Sequence, residues 1–281
     1  MHFGLMMFST DYAIRVDELA REAEARGFES LWLPEHTHIP TSRRSPWPGG
    51  AELPKEYWHT HDPFVALATA AAVTKNLKVA TGICLLIERD PITTAKEVAS
   101  LDFLSNGRFL FGIGGGWNAE EMEHHGTAFK TRWKLLRERV EAMKKIWTEE
   151  TPEYHGTFVN FDKLWAWPKP VQKPHPPIYM GGHSPQVLQR VVDYCDGWLP
   201  IGGRAGDLVE NIKELRRRAE KAGRDPKTVK VTIFGTPADE AAIAQYRAVG
   251  VERATFGLPP AGRDKVLPLM DRYAEFVRKL G

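Results

Sequence analysis

Glu35, His36 and His38 stand within four residues of one another in "WLPEHTHIP" (32–40), directly after a short apolar run. Such a set could close a metal cage, or supply acid and base beside an organic cofactor. It could also merely end a strand with polar groups. "HTHD" (59–62) adds His59 and His61. "GIGGGW" (112–117) carries three consecutive glycines but lacks the G-x-G-x-x-G pattern, because Trp117 fills its last position. Gly114, Gly115 and Gly116 either permit a tight turn or let a flat ring approach backbone that a Cβ would shield. In "MGGHSP" (180–185) an apolar run ends in Gly181 and Gly182, after which Ser184 precedes Pro185. That is the form of a capped helix start, and equally of a phosphate site built from free N–H groups.

These groups need elements to hold them, and the apolar pattern supplies a candidate frame. Short apolar runs at 2–8, 28–34, 77–87, 108–115, 177–182, 196–203, 230–235 and 253–258 read as strands. Helical spacing separates nearly all of them, as in Trp133, Leu136, Val140, Met143 and Trp147. Eight strand–helix units in one chain of 281 residues predict a single (β/α)8 TIM barrel over 1–281, with an open doubly wound sheet as the alternative. Long Pro/Gly- and Trp-rich insertions at 37–60, after strand two, and 150–177, before strand five, break the rhythm. Active sites of such barrels lie at the carboxyl ends of the strands, where "WLPEHTHIP", "GIGGGW" and "MGGHSP" fall.

Composition narrows the class. The residues are 42% apolar and 26% charged, and the net charge is only +2, so no overall field favours nucleic acid or membrane. Two cysteines, Cys84 and Cys195, make no disulfide framework. No apolar run reaches membrane-spanning length and no signal-like segment opens the chain, so a cytoplasmic protein is expected. The metal reading of a His-x-His pair fits a metal-dependent amidohydrolase-type barrel. That chemistry also needs a histidine after strand six and an aspartate after strand eight, and "DGWLP" (196–200) and "FGLPP" (256–260) offer neither. No metal is therefore expected, and His38, His59 and His61 read as hydrogen-bonded loop residues.

Along almost its whole length the chain resembles the luciferase-like α/β-barrel oxidoreductases, and within them the branch that uses the deazaflavin coenzyme F420. The stretches that carry this are "LWLPEH", "DPFVALATAAAVT", "VATGICLL", "AKEVASLDFLSNGRFLFGIGGGW", Arg132, "PPIYMGGHS" and "DGWLP". The resemblance implies hydride transfer between F420 and a small carbonyl, imine or activated alkene. His36 would be the acid or base, and Glu35 would bond the ring. It implies a non-prolyl cis peptide at Gly82-Ile83 behind the ring and contacts from Leu85, Gly115, Gly116 and Trp117. The phosphate would lie at Gly181, Gly182, His183 and Ser184. A homodimer is expected on the same ground. Trp117 stands where the branch's sugar-phosphate dehydrogenases carry a catalytic glutamate, which argues against that reaction. Gly115 stands where flavin-dependent luciferases hold the flavin phosphate with an arginine. A monooxygenase using reduced FMN is the alternative. Trp58, Trp165 and Trp167 are expected with Trp117 around the pocket. Arg43 and Arg44 read as solvated residues rather than partners of the cofactor's acidic tail.

Overall fold

The predicted alternation closes on itself in space. In the computed structural model, which describes residues 1–202 and 207–281, ten strands are present among the described residues. They are β1 (His2–Met6), β2 (Ser30–Leu33), β3 (Lys78–Cys84), β4 (Phe109–Ile113), β5 (Tyr154–His155), β6 (Asn160–Phe161), β7 (Ile178–Gly181), β8 (Gly197–Leu199), β9 (Lys230–Ile233) and β10 (Arg253–Gly257). Eight of them form a closed barrel in the order β1-β10-β9-β8-β7-β4-β3-β2, every pairing parallel. This is the TIM barrel, not the open sheet. The strand expected over 196–203 is β8, and Gly203 lies outside the described residues.

The helices are α1 (Val16–Ala25), α2 (Glu56–His59), α3 (Pro63–Ala72), α4 (Pro91–Leu104), α5 (Ala119–His124), α6 (Arg132–Thr148), α7 (Pro185–Tyr194), α8 (Leu208–Lys221), α9 (Glu240–Ala248) and α10 (Arg263–Leu280). Their starts are chemically marked. Asp62 and Asp90 each accept a hydrogen bond from the third residue on (Val65 N, 3.0 Å; Thr93 N, 2.8 Å), ahead of Pro63 and Pro91 at the first helical position. Among the described residues no helix is long and apolar enough to cross a membrane. The insertion at 37–60 holds α2, and that at 150–177 holds the antiparallel pair β5–β6.

Both faces of the barrel strands are buried, which is why they read as unbroken apolar runs. Trp32, Ala80, Leu110, Tyr179 and Leu199 fill the interior, while the alternate residues of the strands pack against the helices. Each large side chain removed from water in this way contributes ~1.5–3 kcal/mol. Gly112 in β4 is required by closeness, because a Cβ there would collide with the Thr81 carbonyl oxygen of β3.

The amino-terminal end of the barrel is closed by paired charge. Arg253, 1% exposed, donates to both carboxylate oxygens of Glu29 (2.6 and 2.7 Å) and to Thr232 Oγ1. Lys78 lies 2.8 Å from the same carboxylate, and Tyr179 donates to Glu252. Burial alone would raise the Glu29 carboxyl, yet Arg253 and Lys78 hold it down to about 2.

Candidate functional site

At the opposite end, the carboxyl ends of β3, β4 and β7 surround an apolar hollow of about 280 Å³. That is just below the ~300–1,000 Å³ typical of small-molecule sites, and the hollow opens to solvent. Its floor and walls include Gly82, Ile83, Gly115, Gly116, Trp117, Gly181, Gly182, His183 and Ser184, all marked by the sequence, with Trp133, Leu199 and Phe234 between them. The Gly82-Ile83 peptide is cis, and the β3–β4 register shifts between Thr81 and Cys84. The glycines keep the hollow open. A Cβ on Gly115 would lie 2.7 Å from the Trp133 ring, and one on Gly181 would lie 2.9 Å from Ile83 Cγ2. Ser184 precedes α7 in an extended conformation and makes no side-chain capping bond, so its hydroxyl is not spent on the helix.

Glu35 and Leu85 stand behind this wall rather than in it. Glu35 is 3% exposed and accepts from Leu85 N and Arg89 Nε, each at 2.6 Å. Arg89 also reaches Asp62 and Glu97. Burial works against the charge of Arg89, but Glu35 and Asp62 outweigh it and push its pKa up. The Glu35 carboxylate therefore fixes the turn after β3, with one bond to each of its oxygens. Leu85 backs Gly116 from outside, at 3.3 Å from where a Cβ would stand.

His36 does not line the hollow either, but its ring lies next to one that does. It is 9% exposed, its ring lies 5.9 Å from that of Trp117, and Trp117 lines the hollow. Its Nδ1 is 2.7 Å from Glu121 Oε2, and Glu121 Oε1 accepts from Thr37 N at 3.1 Å. A carboxylate bonded to Nδ1 fixes the ring and leaves Nε2 as the nitrogen that can serve a substrate. Sequence reading missed Glu121. Asn118 followed three residues later by a glutamate marks a helix start, but nothing local ties that glutamate to a histidine 85 positions away. Glu88, 8% exposed, was missed as well. Both its oxygens are buried without a hydrogen-bond partner, and burial, followed by the charge of Glu121, pushes its carboxyl up to about 9.

The other histidines are engaged locally. His38 bonds Thr37 and His124, His59 bonds Asp11, and His61 bonds Ser9. Among the described residues no group of three or more His, Cys, Asp or Glu is arranged to hold a metal ion. The aromatic expectation holds for Trp117 alone. Trp58, Trp165 and Trp167 are 50%, 80% and 60% exposed and do not line the hollow, to which the 37–60 insertion contributes Pro48 instead. Arg44 pairs with Glu120 and Glu123.

Comparison with known proteins agrees with this architecture. The family model described as luciferase-like monooxygenase matches residues 2–273. An uncharacterized protein of Mycobacterium tuberculosis is 40% identical over 280 residues, covering 98% of each chain. The F420-dependent hydroxymycolic acid dehydrogenase of the same organism is 28% identical over 251 residues, 86% of this chain and 65% of that one. The crystal structure of monooxygenase RslO1 from Streptomyces bottropensis superposes with a TM-score of 0.80 at 20% identity, covering 99% of each chain. A bare-backbone hollow at the barrel mouth, on a chain matched almost end to end by that model, leaves one assignment: the protein belongs to the luciferase-like monooxygenase family.

Proposed function

We propose that the protein is an oxidoreductase that uses the deazaflavin coenzyme F420 to exchange a hydride with a small carbonyl, imine or activated alkene. The observation that carries this reading is the adjacency of the glycine-bared hollow to the His36–Glu121 pair. The hollow fits a planar ring, since apolar side chains bound it and no Cβ intrudes from Gly82, Gly115 or Gly181. A deazaflavin, when bound, supplies hydride chemistry at carbon with little reactivity towards oxygen.

The chain's own residues supply the rest. Ile83, Phe234 and Leu199 would bear on the ring's faces and edges and exclude water, while Ser184 and the N–H groups at the start of α7 would take a phosphate. His36 Nε2 would give a proton to the substrate oxygen or nitrogen on reduction, or take it on oxidation. Glu121 would stabilise the protonated ring meanwhile.

The competing reading, a monooxygenase using reduced FMN, is favoured by the family description and by RslO1. Against it stands Gly115. A side chain there would press on Trp133, so this turn has no room for the arginine that holds the phosphate in flavin-dependent luciferases. Titration with each cofactor separates the two. The expected result is tight F420 binding and turnover indifferent to oxygen; tight FMN binding with oxygen uptake would reverse the assignment. His36→Ala should keep cofactor affinity while turnover falls ~10²-fold or more. Undiminished turnover would remove the proton-transfer role.

A further inference from the structure

Two guanidinium groups at the edge of the hollow have no acid to answer them among the described residues. Arg132 opens α6 and Arg190 lies on α7, and both rest against the ring of Trp133, at 5.2 and 3.9 Å from its centroid. Trp133 lines the hollow, and so does Val187, one turn before Arg190 on α7. Arg132 Nη1 donates to the Phe129 carbonyl, but its Nε is buried without a partner, as is Nη1 of Arg190. Among the described residues neither arginine forms a salt bridge. Burial lowers the pKa of both, and Arg132 is lowered further by Arg190 itself. The contrast with Arg253 and Arg89, each enclosed by carboxylates, is direct. Like charges held together with buried, unused donors are costly, and that cost is removed when an anion bridges them.

We infer that Arg132 and Arg190 form an anion subsite, separate from Ser184, that takes a phosphate or carboxylate on the tail of the ring-bearing ligand. The inference rests on the cofactor reading above and gives it a direction. The ring lies against Gly115, and the charged tail leaves the hollow past Trp133 between α6 and α7. The subsite commits to an anionic appendage rather than to a second aromatic group, because the Trp133 face is already covered by a guanidinium.

The test measures dissociation constants for wild type, Arg190→Met and Arg132→Gln with two probes: F420, and its tail-less chromophore bearing only the ribityl chain. Methionine keeps an apolar stem over Trp133 while removing the charge. The expected result is an affinity for F420 weakened about 10- to 100-fold in each variant, with the tail-less chromophore bound as in wild type. Equal affinities throughout, or equal losses for both probes, would overturn the subsite. If wild type binds neither probe, the deazaflavin reading fails. The subsite is then decided by inorganic phosphate and pyrophosphate, which should raise the Tm of wild type and not of Arg190→Met. Absence of that difference overturns it.

Discussion

At the amino-terminal end of the barrel Arg253, Glu29, Lys78, Glu252 and Tyr179 answer one another donor for acceptor. At the carboxyl-terminal end both oxygens of Glu88 are buried without a hydrogen bond, with His125 Nε2 4.0 Å away, and among the described residues Arg132 and Arg190 lie together with no salt bridge. The same strands connect the two ends, so the difference does not come from the fold. Charge at the first end is arranged to hold the strands in register. At the second end Arg89 is answered by Glu35, Asp62 and Glu97, but Glu88, Arg132 and Arg190 keep buried polar atoms without hydrogen bonds, and groups left so beside a hollow are candidates for use by a ligand or a reaction.

The contrast makes its largest prediction at the paired end. Arg253→Met leaves the Glu29 carboxylate buried with Lys78 alone and should cost ~3–5 kcal/mol in urea unfolding, with cofactor affinity unchanged in the protein that remains folded. A loss below ~1 kcal/mol would mean that this pairing does not hold the barrel. Next in size is Glu121→Gln, which keeps the shape beside His36 and removes the charge. Steady-state kinetics should give kcat lower by ~10- to 100-fold with KM little changed, and thermal melts should be unaltered. A fall in Tm with kcat preserved would move Glu121 to the structural side of the comparison.

The smallest effect separates the two ends by pH. Glu88 sits at about 9 in the folded protein against ~4.5 unfolded, so the native state holds an extra proton between those values. Stability from this group therefore falls as pH rises through that window. Glu29, at about 2, behaves oppositely: its contribution is present above ~4.5 and lost as pH falls towards 2. Urea midpoints of wild type and Glu88→Gln at pH 5, 7 and 9 should diverge at the alkaline side. The variant should be more stable there by on the order of 1 kcal/mol. Parallel curves would show that Glu88 is solvated after all.

Most of the frame was legible because parallel strands buried on both faces leave continuous apolar runs, and because Asp62, Asp90 and Ser184 mark helix starts beside prolines. The glycine turns after β4 and β7 were legible for a related reason: a backbone that must stay bare admits one residue type. What the sequence hid lies between strands. Glu35 is expected at a ring, and nothing in its spacing shows that Arg89 and Leu85 N each bond one of its oxygens. Glu121 stands 85 positions from His36, and only barrel closure brings the two together. The tryptophans at 58, 165 and 167 suggested a pocket by type alone, and only their exposure corrects that. Such pairings depend on which strand ends become neighbours, and no local spacing records this.

The contact between Gly115 and Trp133 has a consequence for how this site could change. Positions 115 and 133 divide one fixed volume, so a bulkier residue at the first requires a slighter one at the second. That exchange would also remove the surface on which Arg132 and Arg190 rest. A descendant that reshaped the bed for another ring would thereby lose its grip on the old tail, so ring preference and tail preference would have to change together.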